Sequence, residues 1–128
     1  MSEAILEMQN VEKRFGGVRA IDQFSLKVEP GMIYGLIGPN GAGKTTIFNT
    51  ITGIYQADGG RILFQGKNIT KIEPHEAAHL GIARTFQNIR LFGNLSVKTN
   101  VMISCNMHSK YHLGDALLRT PRYRKATK

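Results

Sequence analysis

Cysteine is almost absent from this sequence of 128 residues, since Cys105 is the only one. A lone cysteine excludes an internal disulfide and a paired-cysteine metal site, which fits a reducing compartment. Long apolar runs are missing too, and no stretch approaches the roughly 20 apolar residues that a membrane-spanning helix needs. The opening segment carries Glu3 and Glu7 where a secretion signal has positive charge. We therefore expect a cytosolic chain.

Acidic residues are scarce as well, because 9 Asp and Glu stand against 17 Lys and Arg, for a net charge of +8. Residues 110–128 hold +5 of this excess, with Asp115 as their one acidic residue. Their basic residues are Lys110, Arg119, Arg122, Arg124, Lys125 and Lys128. Such a segment is typical of a solvated helix whose acidic partners lie elsewhere, or of a segment that contacts nucleic acid or an anionic membrane face. No nucleic-acid-binding signature accompanies it, so we favour the first interpretation and predict no nucleic-acid partner.

The hydrophobic content of 41% is typical of one globular domain with a real core. Residues 5–28 have the pattern of strands, and "FSLKVEPG" alternates apolar and polar residues before it stops at Pro30 and Gly31. "MIYGLIG" follows as a continuous apolar run, which predicts a strand over Met32–Ile37 that is covered on both faces. We then predict a short helix over Thr45–Thr52, with Gly53 as its stop.

The second half of the chain predicts shorter elements. "ADGG" indicates a turn and "RILFQG" a strand, and Pro74 opens a brief helix that Gly81 closes. "IARTF" predicts a further strand at Ile82–Phe86. Ser96 can cap a helix from Val97 to about His108.

The strongest motif is "GPNGAGKT", in which Gly38, Gly43, Lys44 and Thr45 match G-x-x-x-x-G-K-[ST] between a predicted strand and a predicted helix. Glycines suit this position because bare N–H groups can then converge on phosphates at a helix N-terminus. The lysine supplies a charge for the β and γ phosphates, and the threonine hydroxyl suits Mg²⁺. Thr46 offers another donor to the phosphates. This motif predicts a nucleotide-phosphate site.

A second motif, His75-Glu76-Ala77-Ala78-His79, matches the H-E-x-x-H pattern of zinc proteases. Pro74 and Gly81 confine it to about two helical turns, whereas zinc catalysis needs a long buried helix and a third ligand nearby. We therefore interpret it as polar residues on a short surface helix.

Several segments together carry a family resemblance. "GPNGAGKTT" and "ARTFQN" resemble an ATP-binding cassette domain, and "RFGGVRAI", "TGIYQADGGRILF" and "GIARTFQNIRLF" are similar to ATP-binding subunits of branched-chain amino acid importers. Urea-type and lipopolysaccharide-export ATPases share the loop but match "RTFQNIRLF" less well. The resemblance covers nearly the whole chain. It implies an α/β fold, a P-loop NTPase core with an antiparallel β-subdomain.

The resemblance also implies residue roles, with ATP and Mg²⁺ as cofactors. Phe15 would stack on the adenine with Val18 against it, the alternative for Phe15 being a buried strand-end side chain. Gln87 would reach Mg²⁺ and the attacking water, and Thr45 would also contact the metal. Residues 88–92, with Leu91 and Phe92 as contact surface, would lie near the groove that receives a helix of a membrane permease. The implied nucleotide-binding residues are Phe15, Val18, Asn40, Gly41, Gly43, Lys44, Thr45 and Thr46.

The sequence departs from the family pattern in what it omits. It has no apolar strand ending in Asp-Glu, no serine- and glycine-bearing signature segment and no switch histidine. We expect it to represent the amino-terminal portion of such a domain, with residues 1–95 forming the β-subdomain and part of the core and residues 96–128 beginning the helical subdomain. Two functions stay open. One is the ATP-binding part of an importer that dimerises on permease subunits at the cytoplasmic face of a bacterial inner membrane, and the other is a remnant that binds nucleotide at most.

Overall fold

The structure is a computed structural model that describes residues 4–86 and 91–105. The chain divides into two compact units, residues 1–85 and 86–128. Most of the described elements lie in the first unit, and each unit is described here by itself. None of the helices in the described part of the chain has the length and apolar content needed to span a membrane.

An antiparallel sheet of four strands dominates the first unit, in the order β2-β1-β3-β4. The strands are β1 (Leu6–Phe15), β2 (Val18–Val28), β3 (Gly59–Phe64) and β4 (Lys67–Asn68). A tight turn at Gly16 and Gly17 joins β1 to β2, so that Phe15 and Val18 face each other across the end of the hairpin. The strands predicted within residues 5–28 and at "RILFQG" are therefore confirmed.

The core of this unit lies between the sheet and two helices. Its buried apolar residues are Met8, Val11, Ile21, Ile47, Ala57, Ile62, Ile69, Ile72 and Ala77. Thr50 is buried with them, and its hydroxyl donates to the carbonyl oxygen of Thr46 at 2.8 Å, so no polar group is left unsatisfied there. Since Ile47 and Thr50 share one face of a helix at i and i+3, the core anchors that helix.

Three helices complete the described residues: α1 (Lys44–Ile51), α2 (Pro74–His79) and α3 (Val97–Cys105). Each begins and ends close to its predicted bounds, and Gly53 follows α1 with a φ of +78°. In the second unit the Ser96 hydroxyl accepts the N–H of Thr99 at 3.2 Å, which is the predicted N-cap bond. Residues 106–108 of the predicted helix lie outside the described residues.

The strands predicted at Met32–Ile37 and Ile82–Phe86 are wrong, because neither segment has strand structure. Ile33 and Ile37 are 99% and 95% exposed, although "MIYGLIG" has the composition of a buried strand. A strand forms only when its backbone groups pair with a neighbour, and among the described residues no strand pairs with this segment. Apolar composition alone is therefore not enough to form a strand here, and the segment is largely exposed.

Candidate functional site

The loop between Gly38 and Gly43 is shaped by two glycines in the left-handed region. Gly41 and Gly43 both have a φ of +84°, which other residues adopt only with strain. A Cβ on Gly43 would lie 2.3 Å from the carbonyl oxygen of Ala20 in β2, whereas a Cβ on Gly41 would meet nothing within 4 Å. Gly43 is therefore needed both for its backbone conformation and for its contact with the sheet.

The N-terminus of α1 has features that suit an anion. Gly43 caps the helix without a side-chain hydrogen bond, and the first turn has no acidic residue. The amides of a first helical turn have no acceptor within their own helix, and the helix dipole favours negative charge there. Lys44, Thr45 and Thr46 form this turn, with the Thr45 side chain exposed.

Lys44 lies within the loop that precedes it. Its Nζ donates to the carbonyl oxygens of Gly38 at 2.6 Å and Pro39 at 2.7 Å. The ammonium group is thus held at the loop by two backbone acceptors rather than by a carboxylate. An anion of high charge can compete for such an ammonium group, because charge-assisted bonds to phosphate are stronger than bonds to neutral carbonyls. Asn40 and Gly41 lie exposed on the same turn.

Phe15 and Val18 lie at the end of the β1–β2 hairpin, and Ala20, the residue that touches Gly43, is two positions further along β2. Phe15 is 43% exposed, so the alternative of a buried strand-end phenylalanine is wrong. Val18 is exposed beside it. The two predicted base-binding residues and the loop therefore belong to one unit, in which β2 begins at Val18 and lies against Gly43 at Ala20.

The sequence patterns did not reveal that Tyr55 and Lys13 contact the Phe15 ring or that Asp58 holds Lys13. The ring of Tyr55 lies 5.0 Å from the ring of Phe15 in an edge arrangement, and the Lys13 ammonium lies 5.4 Å from the Phe15 centroid. Asp58 accepts the Lys13 ammonium at 2.9 Å and the Arg14 backbone N–H at 2.7 Å. The Arg14 N–H and then Lys13 lower the pKa of the Asp58 carboxyl. These contacts depend on the register between β1 and β3, which the sequence alone does not show.

Gln87, the predicted metal and water ligand, lies outside the described residues, as do residues 88–90. Leu91 and Phe92 lie in the second unit, and both are exposed. An apolar groove of about 360 Å³ forms there. Its lining residues are Leu91, Phe92, Gly93, Leu95, Val97, Asn100 and Val101.

The H-E-x-x-H residues are engaged in holding α2 together. The Glu76 carboxylate accepts the backbone N–H of Glu73 at 3.2 Å, and Nδ1 of His79 lies 2.7 Å from the carbonyl oxygen of His75. Across the residues described, no group of three His, Cys, Asp or Glu side chains is placed to hold a metal. The helix has six residues, and both histidines are exposed.

This loop, its helix and the antiparallel sheet define a class. Residues 21–127 match the family model described as ABC transporter, so the chain belongs to the ABC transporter family. The match begins at Ile21 in β2 and includes the phosphate loop and α1.

Within the family, the chain is most usefully compared with two curated relatives. The chain is 41% identical over 126 residues to the high-affinity branched-chain amino acid transport ATP-binding protein BraF of Pseudomonas aeruginosa, and 40% identical to LivG of Escherichia coli, a protein of the same description. Each alignment covers 98% of this chain but 49% of the relative. The chain thus spans about half the length of these relatives.

Solved structures agree with the sequence relatives. A nucleotide-free ATP-binding cassette from an ABC transporter and an ATP-binding cassette in its ADP conformation each superpose with a TM-score of 0.73 at 38% identity. Each covers 94% of this chain and 47% of the solved chain. The predicted fold class, a P-loop cassette with an antiparallel subdomain, is confirmed.

Proposed function

We propose that this chain supplies the nucleotide-binding front part of an ATPase that drives branched-chain amino acid uptake. The observation that carries the proposal is the loop at Gly38–Gly43, whose left-handed glycines open α1 and hold the Lys44 ammonium against bare carbonyls. The substrate class is that of the relatives BraF and LivG, which are branched-chain amino acid transport ATP-binding proteins.

ATP with Mg²⁺ fits the residues of this site. Lys44 would exchange two neutral carbonyl acceptors for phosphate oxygens, and the first-turn amides of α1 would donate to the same group. The exposed hydroxyl of Thr45 suits a magnesium ion, whose charge offsets the charge of the phosphates when it is bound. Phe15 and Val18, at the hairpin end next to the loop, would receive the base, and Gln87 remains the proposed ligand for metal and water.

The partners we propose are integral-membrane permease subunits and a second ATP-binding subunit, at the cytoplasmic face of a bacterial inner membrane. The apolar groove beside Leu91 and Phe92 supports a protein contact, because exposed apolar surface of this kind marks interaction sites. A permease helix that presents an apolar face would suit it.

A second candidate function is a nucleotide-binding chain without turnover. Its support is that the aspartates of the sequence are Asp22, Asp58 and Asp115, and none is followed by Glu. The carboxylates of Asp58 and Glu76 are already engaged, since Asp58 binds Lys13 and the backbone N–H of Arg14, and Glu76 accepts the backbone N–H of Glu73. Hydrolysis needs a positioned water, and the sequence lacks the apolar strand ending in Asp-Glu that the family resemblance leads us to expect for that role.

Calorimetric titration of the whole chain with Mg-ATP tests the binding proposal. We expect weak binding that Lys44→Ala reduces at least about tenfold, because hydrogen bonds to charged groups contribute about 1.5–3 kcal/mol. Lys67→Ala is the matched control, since Lys67 is an exposed lysine in β4, at the sheet edge opposite β2. Gln87→Ala should leave binding largely intact, and His75→Ala should not change it. Equal binding by Lys44→Ala and the unaltered chain would overturn the proposal.

A further inference from the structure

The ring of Phe15 is held in place by residues that no motif identifies. Tyr55 lies in the segment between α1 and β3, 40 positions away in sequence, and its ring meets the Phe15 ring at an interplanar angle of 73° and a centroid distance of 5.0 Å. Edge-to-face pairs at this separation are favourable because the positive edge of one ring meets the negative face of the other. The contact restricts a side chain that is otherwise 43% exposed.

Lys13 restrains the same ring through its charge. Its ammonium lies over the Phe15 ring at 5.4 Å, which is within the range of a cation–π contact. The ammonium is fixed in turn by the Asp58 carboxylate at 2.9 Å, whose second oxygen accepts the Arg14 N–H. The backbone N–H of Asp58 also donates to the carbonyl oxygen of Glu12 at 2.9 Å, so the residue is tied to β1 at three points.

The segment that carries Tyr55 is attached to the phosphate-binding helix. The backbone N–H of Tyr55 donates to the carbonyl oxygen of Asn49 in α1 at 3.1 Å, and the Asn49 side chain accepts a hydrogen bond from Arg84. One end of this segment is therefore bonded to α1 and the other, through Asp58, to β1. This segment therefore links the Phe15 ring to the last turn of α1.

We propose that Tyr55 and the Lys13–Asp58 pair are positioning residues that preorganise Phe15 for stacking on a nucleobase. This inference rests on the proposed nucleotide function of the same site. Binding is stronger when a contact group is already held in its bound position, because less conformational freedom is lost. In this proposal Tyr55 acts only through Phe15 and does not contact the phosphates.

The test compares Mg-ATP with inorganic tripolyphosphate, which lacks a base, on the whole chain. We expect Tyr55→Leu to weaken Mg-ATP binding about threefold to tenfold, the range for one aromatic pair, and to leave tripolyphosphate binding unchanged. Tyr55→Phe keeps the ring and should restore binding. Asp58→Asn should weaken Mg-ATP binding by a smaller factor in the same direction. Tyr34→Leu is the matched control, because Tyr34 is an exposed tyrosine in the unpaired segment before the loop.

A double mutant separates positioning from a direct contact. If Tyr55 acts through Phe15, then Tyr55→Leu should have no further effect on Mg-ATP binding in a Phe15→Ala chain. A full effect of Tyr55→Leu in that background, or no effect in the unaltered chain, would overturn this inference while tripolyphosphate binding persists. If the unaltered chain does not bind tripolyphosphate at all, the proposed nucleotide function itself is wrong.

Discussion

Two apolar stretches of the first unit end in opposite environments. β1 and β3 place Val11 and Ile62 at 0% exposure, whereas Ile33 and Ile37, in the segment before the phosphate loop, are almost wholly exposed. The sheet strands pair with neighbours that are themselves within the first 68 residues, so their backbone groups and their apolar faces are satisfied together. The Met32–Ile37 segment also has apolar side chains, but no strand among the described residues pairs with it. Composition sets what a segment can form, and partners decide whether it forms.

The phosphate loop stands between these two regions and keeps its shape without a paired strand before it. Its support comes from the other side, where α1 buries Ile47 in the sheet core and Gly43 packs on Ala20. The geometry of this loop is therefore anchored on the antiparallel sheet rather than on the segment that precedes it.

The sharpest way to break this contrast is a matched pair of isoleucine substitutions. Ile62→Ala removes a side chain from a filled core and should lower the free energy of unfolding by about 2–5 kcal/mol. Ile33→Ala should change it by less than about 0.5 kcal/mol, because that side chain is already in water. Urea unfolding followed by circular dichroism measures both. Equal losses would mean that Met32–Ile37 is packed after all.

A second pair tests the support of the loop. Gly43→Ala should distort the start of α1 and abolish Mg-ATP binding, since its Cβ would lie 2.3 Å from a backbone oxygen that cannot move away without opening β2. Gly41→Ala meets open space and should cost only the left-handed strain of about 1–2 kcal/mol. Titration with Mg-ATP compares them, and similar losses from both would show that the contact with Ala20 is unimportant.

The exposed Met32–Ile37 segment leads to a third prediction, with a smaller expected effect. A segment with unpaired backbone groups and exposed apolar side chains associates readily with other chains. We therefore expect the chain to bind a hydrophobic dye and to self-associate. Replacing Ile33 and Ile37 with lysine should reduce dye fluorescence and the apparent size in sedimentation. A sharp, cooperative thermal transition of a monomeric, unaltered chain that binds no dye would contradict this expectation.

Much of the fold could be predicted from local signals. Alternation identified the β1–β2 region, Gly53 and Gly81 marked helix ends, and the loop motif located the start of α1 to within one residue. Two things were beyond the sequence pattern. The prediction of a strand at Met32–Ile37 was wrong because strand pairing is not a local property. The contacts that Tyr55, Lys13 and Asp58 make near Phe15 depend on the register that sets Glu12 opposite Gly59. Contacts set by register become visible only after the sheet is assembled.

The central claim is that these residues bind a nucleoside triphosphate, and the second candidate function adds that they do so without hydrolysing it. Phosphate release from the purified chain with Mg-ATP, measured on the same sample as equilibrium binding and beside Lys44→Ala, tests it most directly. We expect binding that depends on Lys44 and, under the second candidate, phosphate release no greater than in the Lys44→Ala control, because no Asp of the sequence is followed by Glu. Steady release well above that control would contradict the account, and would point to Asp58 or Glu76 as a base.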